Sequence, residues 1–276
     1  MTSKKTLVLG GTGKTGRRVA QRLIGRGIPV RIGSRFGSPR FDWTNYASWP
    51  AVLEHVDSVY VTYHPDLAAP GALEAVQSFT EIALAAGVRR LVLLSGRGEA
   101  ASQECEEIVR AACGAATVLR CSWFAQNFSE NHFVEPLLAG ELALPVGNVG
   151  EPFVDADDIA DVAVAALTEE GHEGQTYELT GPRLWTFAQA AAEIARGTGR
   201  PIRYVQVPAD EYRATLAKSG VSTDLAALCI YLFTELFDGR NARVANGVQR
   251  ALGRSPRDFA EYVRDAAAAG AWKSVA

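Results

Sequence analysis

A glycine-rich loop near the N-terminus constrains the fold of this chain more than any other feature of its sequence. The segment Thr6–Leu9 is a short apolar run typical of a buried parallel strand, and Arg17–Arg26 has the apolar spacing of a helix. Between them, Gly10, Gly13 and Gly16 form the pattern GxxGxxG. In this context the pattern predicts a backbone that approaches a pyrophosphate held at the positive N-terminal end of the helix. It is not a Walker A loop, because a valine stands where that motif needs its first glycine.

The same alternation of strands and helices continues along the chain. The predicted strands are Thr6–Leu9, Pro29–Ile32, Val56–Tyr63, Leu91–Leu94, Thr117–Arg120, Thr176–Thr180 and Ile202–Val207. The predicted helices are Arg17–Arg26, Gly71–Ala86, Ser102–Cys113, Asp157–Leu167 and Thr186–Arg196, with three more near 209–218, 222–237 and 256–269. Strands that alternate with helices of about 10–15 residues predict an α/β fold of the Rossmann type, with a doubly wound parallel sheet.

After Phe124 the strands and helices alternate less regularly, and this predicts how the chain is divided. We expect a dinucleotide-binding Rossmann domain over residues 1–155, to which the strand at 176–180 returns. Residues 181–276 are expected to form a smaller, mostly helical C-terminal cap for the substrate. A chain of 276 residues is long enough to bury a full apolar core without disulfides or metals.

Charge and apolar runs exclude several classes of partner. The formal net charge of −3 provides no basic field for nucleic acid or an anionic membrane. No apolar run approaches the roughly 20 residues of a membrane span, and the N-terminus has no signal-peptide pattern. The four cysteines lack CxxC or metal-type spacing, so we expect buried thiols, no metal site and a cytoplasmic location. The expected partner is a small-molecule substrate.

The end of the second strand bears on the choice of cofactor. NAD-preferring folds usually place an acidic residue there to bind the ribose 2′-hydroxyl, but this chain has Ser34 and Arg35, and the next acid is Asp42. Ser34 can donate a hydrogen bond to a 2′-phosphate, Arg35 can make a charge-assisted contact, and Lys14 can approach the same group. We therefore expect NADP(H) to be preferred over NAD(H). The alternative for Arg35 is a solvated loop arginine.

Four segments, in this order, resemble the NmrA-like group, a branch of the atypical short-chain dehydrogenase/reductases. They are VLGGTGKTGRRVA at the N-terminus, Gly87–Glu99, Thr117–Phe128 and Glu151–Leu167. The group includes NADPH-dependent reductases of quinones, azo dyes and triphenylmethane dyes, reductases of phenolic ethers, and redox-sensing regulators without known catalysis. The resemblance covers nearly the whole chain and implies a Rossmann fold that binds NADP(H).

The resemblance also implies which residues contact the cofactor. Gly10, Thr12, Gly13, Lys14 and Thr15 match the pyrophosphate loop, and Ser34 and Arg35 match the 2′-phosphate contact. Thr62, Tyr63 and His64 match residues beside the adenosine ribose and pyrophosphate, and Ser95, Gly96 and Arg97 match residues beside the nicotinamide. Cys121, Ser122, Trp123 and Phe124 stand where relatives often carry Pro-Gly-x-Phe. Asp157, in the family's acidic segment, is expected to cap a helix rather than touch substrate.

The proton relay of typical short-chain dehydrogenases is missing. No tyrosine stands between Tyr63 and Tyr177, and no lysine between Lys14 and Lys218, so the YxxxK pair is absent. Hydride transfer then requires an acceptor that is already electrophilic, such as a quinone, an azo bond or an iminium, or there is no turnover at all. The candidate catalytic residues are His132, a histidine that is otherwise an ordinary helix-face residue, and Ser95, which otherwise only caps its loop.

Two apolar sets leave alternatives open. Trp123, Phe124 and Phe128 form either a wall for a flat substrate or part of the core. The apolar stretch 225–233 lines the same pocket, or it is a core helix or the contact of a homodimer. We favour an NADPH-dependent reductase of small conjugated or aromatic acceptors. The alternatives are a non-catalytic NADP(H)-sensing regulatory protein and an enzyme of specialised metabolism with a dedicated substrate.

Overall fold

The computed structural model describes residues 5–130 and 133–273, and a parallel sheet of six strands is its largest element. The strands are β1 (Lys5–Leu9), β2 (Val30–Gly33), β3 (Val56–Val61), β4 (Arg90–Gly96), β5 (Thr117–Cys121), β6 (Glu141–Leu144), β7 (Thr176–Leu179) and β8 (Arg203–Gln206). The sheet has the order β2-β1-β3-β4-β5-β7, and every adjacent pair is parallel. The chain reverses its direction of travel between β1 and β3, which is the switch point at which such folds bind ligands. The Rossmann-type prediction is confirmed.

Helices connect these strands. They are α1 (Lys14–Gly25), α2 (Trp49–Leu53), α3 (Ala72–Ala85), α4 (Ala100–Ala112), α5 (Val134–Ala139), α6 (Ala156–Thr168), α7 (Phe187–Thr198), α8 (Ala209–Lys218), α9 (Thr223–Tyr231), α10 (Gly247–Leu252) and α11 (Phe259–Ala268). Short 3₁₀ turns span Tyr46–Ser48 and Ala125–Phe128, and a π-helical turn spans Leu232–Leu236. Thr186 caps the N-terminus of α7, because its hydroxyl accepts the Gln189 N–H at 3.1 Å. None of the helices in the described residues is long and apolar enough to cross a membrane.

Two helix pairs pack against the large sheet. Helices α3 and α4 contact each other and share a core with alternate residues of the strands, including Leu7, Val59 and Leu91. Helices α1 and α6 form the other pair. Alternate side chains of a strand point to opposite faces, so a sheet covered in this way is buried on both sides.

The prediction that Asp157 caps its helix is wrong. Helix α6 begins one residue earlier, at Ala156, so Asp157 lies in the first turn. Its carboxylate instead pairs with two arginines of α1, at 3.3 Å from Arg18 Nε and 2.6 Å from Arg22 Nη2. The side chain is therefore used to join two helices.

The chain divides into two compact units at places that differ from the sequence-based boundaries. One unit takes in Met1–Cys121, Ala156–Leu179 and Asn246–Ser255, and the other takes in Ser122–Asp155, Thr180–Ala245 and Pro256–Ala276. The second unit starts well before residue 155 because β6 pairs with β8 in a separate two-stranded parallel sheet. The segment 246–255 belongs to the first unit because α10 packs against β7 and α6.

Candidate functional site

The glycine loop after β1 is folded into a tight turn. Gly10 has a φ of +59°, its N–H donates to the Gly33 carbonyl at 3.1 Å, and its own carbonyl accepts the Gly13 N–H at 2.8 Å. A Cβ on Gly16 would lie 2.3 Å from the Gly10 carbonyl oxygen, and a Cβ on Gly10 would lie 2.5 Å from Thr62 Oγ1. Only glycine fits both places, so the sequence pattern reflects a real steric requirement.

The N-terminal end of α1 is suited to an anion. Gly13 precedes the helix and provides no side-chain cap, and no acidic residue stands in the first turn. Thr12 and Gly13 are exposed, whereas Thr15 is buried. The positive end of the helix dipole therefore meets no carboxylate in the first turn, which favours a phosphate there.

The turn after β2 carries positive charge. The Ser34 carbonyl accepts the N–H groups of Gly37 at 3.1 Å and Phe41 at 2.9 Å, which folds the following residues into a compact loop. Arg35 is exposed on this loop. The nearest acid, Asp42, is engaged by Thr44, whose hydrogen bonds lower its pKa; Arg35 and Arg40 lower it further. Arg40 is a second cation beside the predicted 2′-phosphate site, and sequence reasoning missed it.

A hydrogen bond joins the end of β3 to the start of the glycine loop. Thr62 Oγ1 donates to the Leu9 carbonyl at 3.1 Å, and Trp43 Nε1 donates to the Thr62 carbonyl at 3.0 Å. The Tyr63 ring packs on Trp43 with 5.0 Å between ring centroids, and burial raises the pKa of the Tyr63 hydroxyl. His64 follows as an exposed residue. The structure thus brings Thr62 against the loop.

At the end of β4, the predicted nicotinamide-side residues belong to an ion network. Ser95 Oγ donates to Glu106 Oε1 at 2.6 Å, and Glu106 is paired with Arg120. Arg97, only 3% exposed, donates to Glu178 at 3.2 Å. The Ser95 hydroxyl therefore already donates its hydrogen to a carboxylate. Toward a ligand, only its oxygen remains, as a hydrogen-bond acceptor.

The cysteines near this edge are unreactive in this structure. Cys121 is buried, and burial strongly raises the pKa of its thiol. Burial and, to a lesser extent, Glu104 and Glu106 raise the pKa of Cys105 to about 11. Neither thiol has the lowered pKa that a reactive cysteine needs. The described residues contain no cluster of three or more metal-ligating side chains.

The aromatic residues predicted to lie near the substrate are found in the second unit. Phe128 is fully buried in its core, and Phe124 forms a strand-like bridge with Val154. Trp123 is partly exposed and packs on Phe233 with 5.4 Å between ring centroids. Its indole Nε1 is buried without a hydrogen-bond partner in the described part of the chain.

The apolar stretch 225–233 is divided between core and surface. Ala226, Cys229, Ile230 and Phe233 are buried in the core of the second unit. Leu225 and Tyr231, on α9, are 43% and 37% exposed. The first set confirms the core interpretation for these residues, and the second leaves an apolar surface. His132, the other predicted catalytic residue, lies outside the described residues.

Sequence reasoning also missed a buried acid, Glu99, in the loop after β4. Its Oε2 accepts the Ser102 hydroxyl at 2.6 Å, and a Cβ on Gly96 would lie 2.2 Å from the same oxygen. Burial and then the charge of Asp66 raise the pKa of Glu99 to about 7, against the lowering effect of the Ser102 hydrogen bond. The sequence does contain a signal for Glu99: it is an acid three residues before a serine, and it directly follows the glycine-containing segment at the end of a strand.

Several relatives of the chain are named as oxidoreductases. It is 31% identical to an uncharacterized oxidoreductase of Bacillus subtilis, YesF, over 99% of this chain and 98% of that protein. It is 31% identical to festuclavine dehydrogenase of Aspergillus fumigatus over 93% and 95%. It is 29% identical to the NAD(P)H azoreductase of Xenophilus azovorans over 95% and 98%. The sequence matches no protein-family model.

Solved structures share the fold. A nucleoside-diphosphate-sugar epimerase from Staphylococcus aureus has a TM-score of 0.81 at 15% identity, covering 95% of this chain and 99% of that one. The Citrobacter sp. triphenylmethane reductase, complexed with NADP(H), has a TM-score of 0.77 at 20% identity, again covering 95% and 99%. Both likenesses establish the architecture described above.

Proposed function

This chain belongs to the NmrA-like group of atypical short-chain dehydrogenase/reductases, and we propose that it is an NADPH-dependent reductase of small, electrophilic, conjugated or aromatic acceptors. It is an NAD(P)H-dependent oxidoreductase, in keeping with its oxidoreductase relatives. The preference for NADPH and the class of acceptor are the further steps of the proposal. The observation that carries it is the steric cradle at Gly10 and Gly16 beside an uncapped helix N-terminus.

The residues of the first unit fit a dinucleotide. The exposed backbone at Thr12 and Gly13, with Lys14 and Thr15, would hold the pyrophosphate, and Thr62, Tyr63 and His64 would lie beside the adenosine ribose. Gly96, Arg97 and Cys121 would border the nicotinamide. When bound, NADPH supplies the hydride. The role of the chain is then to orient the cofactor and exclude water.

Selectivity for NADPH is supported by the loop after β2. Ser34, Arg35 and Arg40 offer donors and positive charge, and the nearest carboxylate is bound to Thr44. A 2′-phosphate gains charge-assisted hydrogen bonds in such surroundings, whereas a 2′-hydroxyl gains little. We propose a preference for NADPH on this ground.

The proposed class of acceptor is supported by the proton donors that the chain has and lacks. Ser95, the serine proposed to assist the acceptor, already donates to Glu106, and the tyrosine–lysine pair is absent from the sequence. Acceptors that need strong activation before hydride arrives, such as simple ketones, are therefore disfavoured. Quinones, azo compounds and iminium ions are already electrophilic. His132 stays a second predicted proton donor.

The proposal is tested by NADPH consumption with a panel of quinones, azo dyes and iminium compounds. We expect turnover with at least one class, and a lower KM for NADPH than for NADH. Tight NADPH binding without turnover of any acceptor would contradict it and favour the alternative, a non-catalytic NADP(H)-sensing protein.

A further inference from the structure

The turn that follows β2 carries an aromatic side chain at its exposed tip. The Ser34 carbonyl accepts the Gly37 N–H at 3.1 Å, which closes a β-turn with Arg35 and Phe36 at its two corners. Phe36 is 93% exposed, more than any other large apolar side chain in the described part of the chain. A single exposed apolar side chain has no meaning by itself. The inference below therefore depends on where this one lies.

The loop that carries this turn is held in place at both ends. The Ser34 carbonyl also accepts the Phe41 N–H at 2.9 Å, so the segment between these two residues is closed into a loop. Phe41 is 3% exposed, and its ring packs edge-on against Trp43 and Phe79, with 5.1 and 5.8 Å between ring centroids. The two phenylalanines of the loop therefore have different positions: Phe41 anchors the loop in the core, and Phe36 lies in solvent at its tip.

The turn lies directly beside the glycine loop. The Gly10 N–H donates to the carbonyl of Gly33, the last residue of β2, at 3.1 Å. A Cβ on Gly11 would lie 2.8 Å from the Ile32 side chain, so the end of β2 is in contact with the glycine loop. The proposed pyrophosphate site and the proposed 2′-phosphate site are thus neighbouring parts of one surface of the first unit.

The covalent structure of the cofactor determines what lies next to a bound 2′-phosphate. In NADP(H), the 2′-phosphate and the adenine are attached to adjacent carbons of one ribose. Phe36 directly follows Arg35, the proposed 2′-phosphate ligand, and consecutive Cα atoms are only about 3.8 Å apart, so its side chain is within reach of the base. We propose that the Phe36 ring stacks on the adenine of NADP(H), an inference that rests on the cofactor site proposed above.

Stacking separates the role of Phe36 from that of Arg35. A ring that stacks on a base uses the face of the base, and NADPH and NADH carry the same adenine. The Arg35 guanidinium would contact the phosphate group that only NADPH has. Phe36 therefore sets the affinity for both cofactors, and Arg35 sets the choice between them.

The test measures the binding of NADPH, NADH and adenosine 2′,5′-bisphosphate, which lacks the nicotinamide, to Phe36→Ala. We expect all three dissociation constants to rise by a similar factor of about 10, so that the ratio of the NADPH and NADH constants is unchanged. Phe36→Tyr keeps an aromatic ring and should bind each ligand within about twofold of the wild type. Ile24→Ala removes another exposed apolar side chain, 61% exposed on α1, and is the matched control that should change none of them.

Three results would overturn the proposal. The first is an unchanged affinity for all three ligands in Phe36→Ala. The second is a loss confined to NADPH, which would mean that the substitution displaces Arg35 and that the ring itself touches no base. The third is a wild type that self-associates in sedimentation while Phe36→Ala does not, with the affinities unchanged, because Phe36 would then be a contact between copies of the chain.

The binding of adenosine 2′,5′-bisphosphate keeps this inference separate from the reductase function, because this ligand carries no hydride and needs no acceptor. The expected loss of affinity in a protein that reduces no acceptor would support the adenine contact and contradict the reductase function. Turnover by the wild type, together with unchanged ligand binding in Phe36→Ala, would support the reductase function and overturn the adenine contact.

Discussion

At the scale of single residues, the glycine loop allows a matched test of the cradle. Gly16→Ala would push a methyl group into the Gly10 carbonyl, whereas Gly25, in the same helix, has no atom within 4 Å of its would-be Cβ. We expect Gly16→Ala to lower the free energy of unfolding by about 1–3 kcal/mol and to weaken NADPH binding. Gly25→Ala should be neutral or slightly stabilising. Denaturant unfolding and NADPH titration of both variants check this; equal behaviour would contradict the cradle.

Arg35 is the residue on which the cofactor preference depends most. Because a 2′-phosphate is present only in NADPH, Arg35→Ala should weaken NADPH binding by about 10-fold or more and leave NADH nearly unchanged. Arg89→Ala, which removes an exposed arginine paired with Asp57 just before β4, should affect neither cofactor. Equal losses for NADPH and NADH in the Arg35 variant would show that its guanidinium is not a 2′-phosphate ligand.

The raised pKa of Glu99 also leads to a prediction about the stability of the fold. Its pKa in the folded protein is raised above the unfolded value, so its contribution to stability is present at low pH and is lost as the pH rises through the folded pKa of about 7. Relative to the wild type, Glu99→Gln should therefore gain stability between about pH 5 and pH 8, on the order of 1 kcal/mol or more. Denaturant midpoints across this range measure it, and a constant difference would contradict a raised pKa.

At the scale of elements, the sequence predicted the strands that contain buried apolar runs. The strands β1, β3, β4 and β5 each contain a short apolar run, so the sequence pattern was sufficient to predict them. Strand β6 and helices α2, α5 and α10 were missed because each has only four to six residues, too few for a period to show. Strand β6 exists because β8 pairs with it, and that contact joins residues 62 positions apart.

The contact between α1 and α6 could not be predicted from the sequence either. Its contribution to stability can be tested by substitution. Arg22 reaches two carboxylates of α6, with 2.6 Å from Nη2 to Asp157 and 2.6 Å from Nε to Asp161. Arg22→Met should lower the free energy of unfolding by about 1–2 kcal/mol, because the carboxylates are half-buried and lose a partner. Arg26→Met, which removes an exposed pair with Glu169, should cost less than about 0.5 kcal/mol. Thermal unfolding separates the two; equal costs would contradict this role for Arg22.

At the scale of the whole molecule, the parts of the site differ in how far the sequence could foresee them. The cofactor loop is local, since Gly10 to Gly16 are consecutive and their strand–loop–helix context is visible in the letters. The ion network of Ser95, Glu106 and Arg120 unites residues from two strands and a helix, so only the fold reveals it. The burial of Glu99 likewise follows from the fold and not from the sequence pattern. The absence of the tyrosine–lysine pair was evident from the sequence.

The same limit applies to the second unit. Its aromatic residues were recognised, but the choice between core and pocket depends on burial, which places Phe128 and Phe233 in the core and leaves Trp123 partly exposed. The boundary at Ser122 depends on the β6–β8 pairing, a contact between distant segments.

The most direct test of the central claim is a single-turnover measurement. The purified protein is first saturated with NADPH and then mixed with an excess of a naphthoquinone, an azo dye or a cationic triphenylmethane dye, while the reduced nicotinamide absorbance is followed. We expect the absorbance to be lost with at least one acceptor, in equal amount to the acceptor reduced. Bound NADPH that stays reduced with all three acceptors would contradict it.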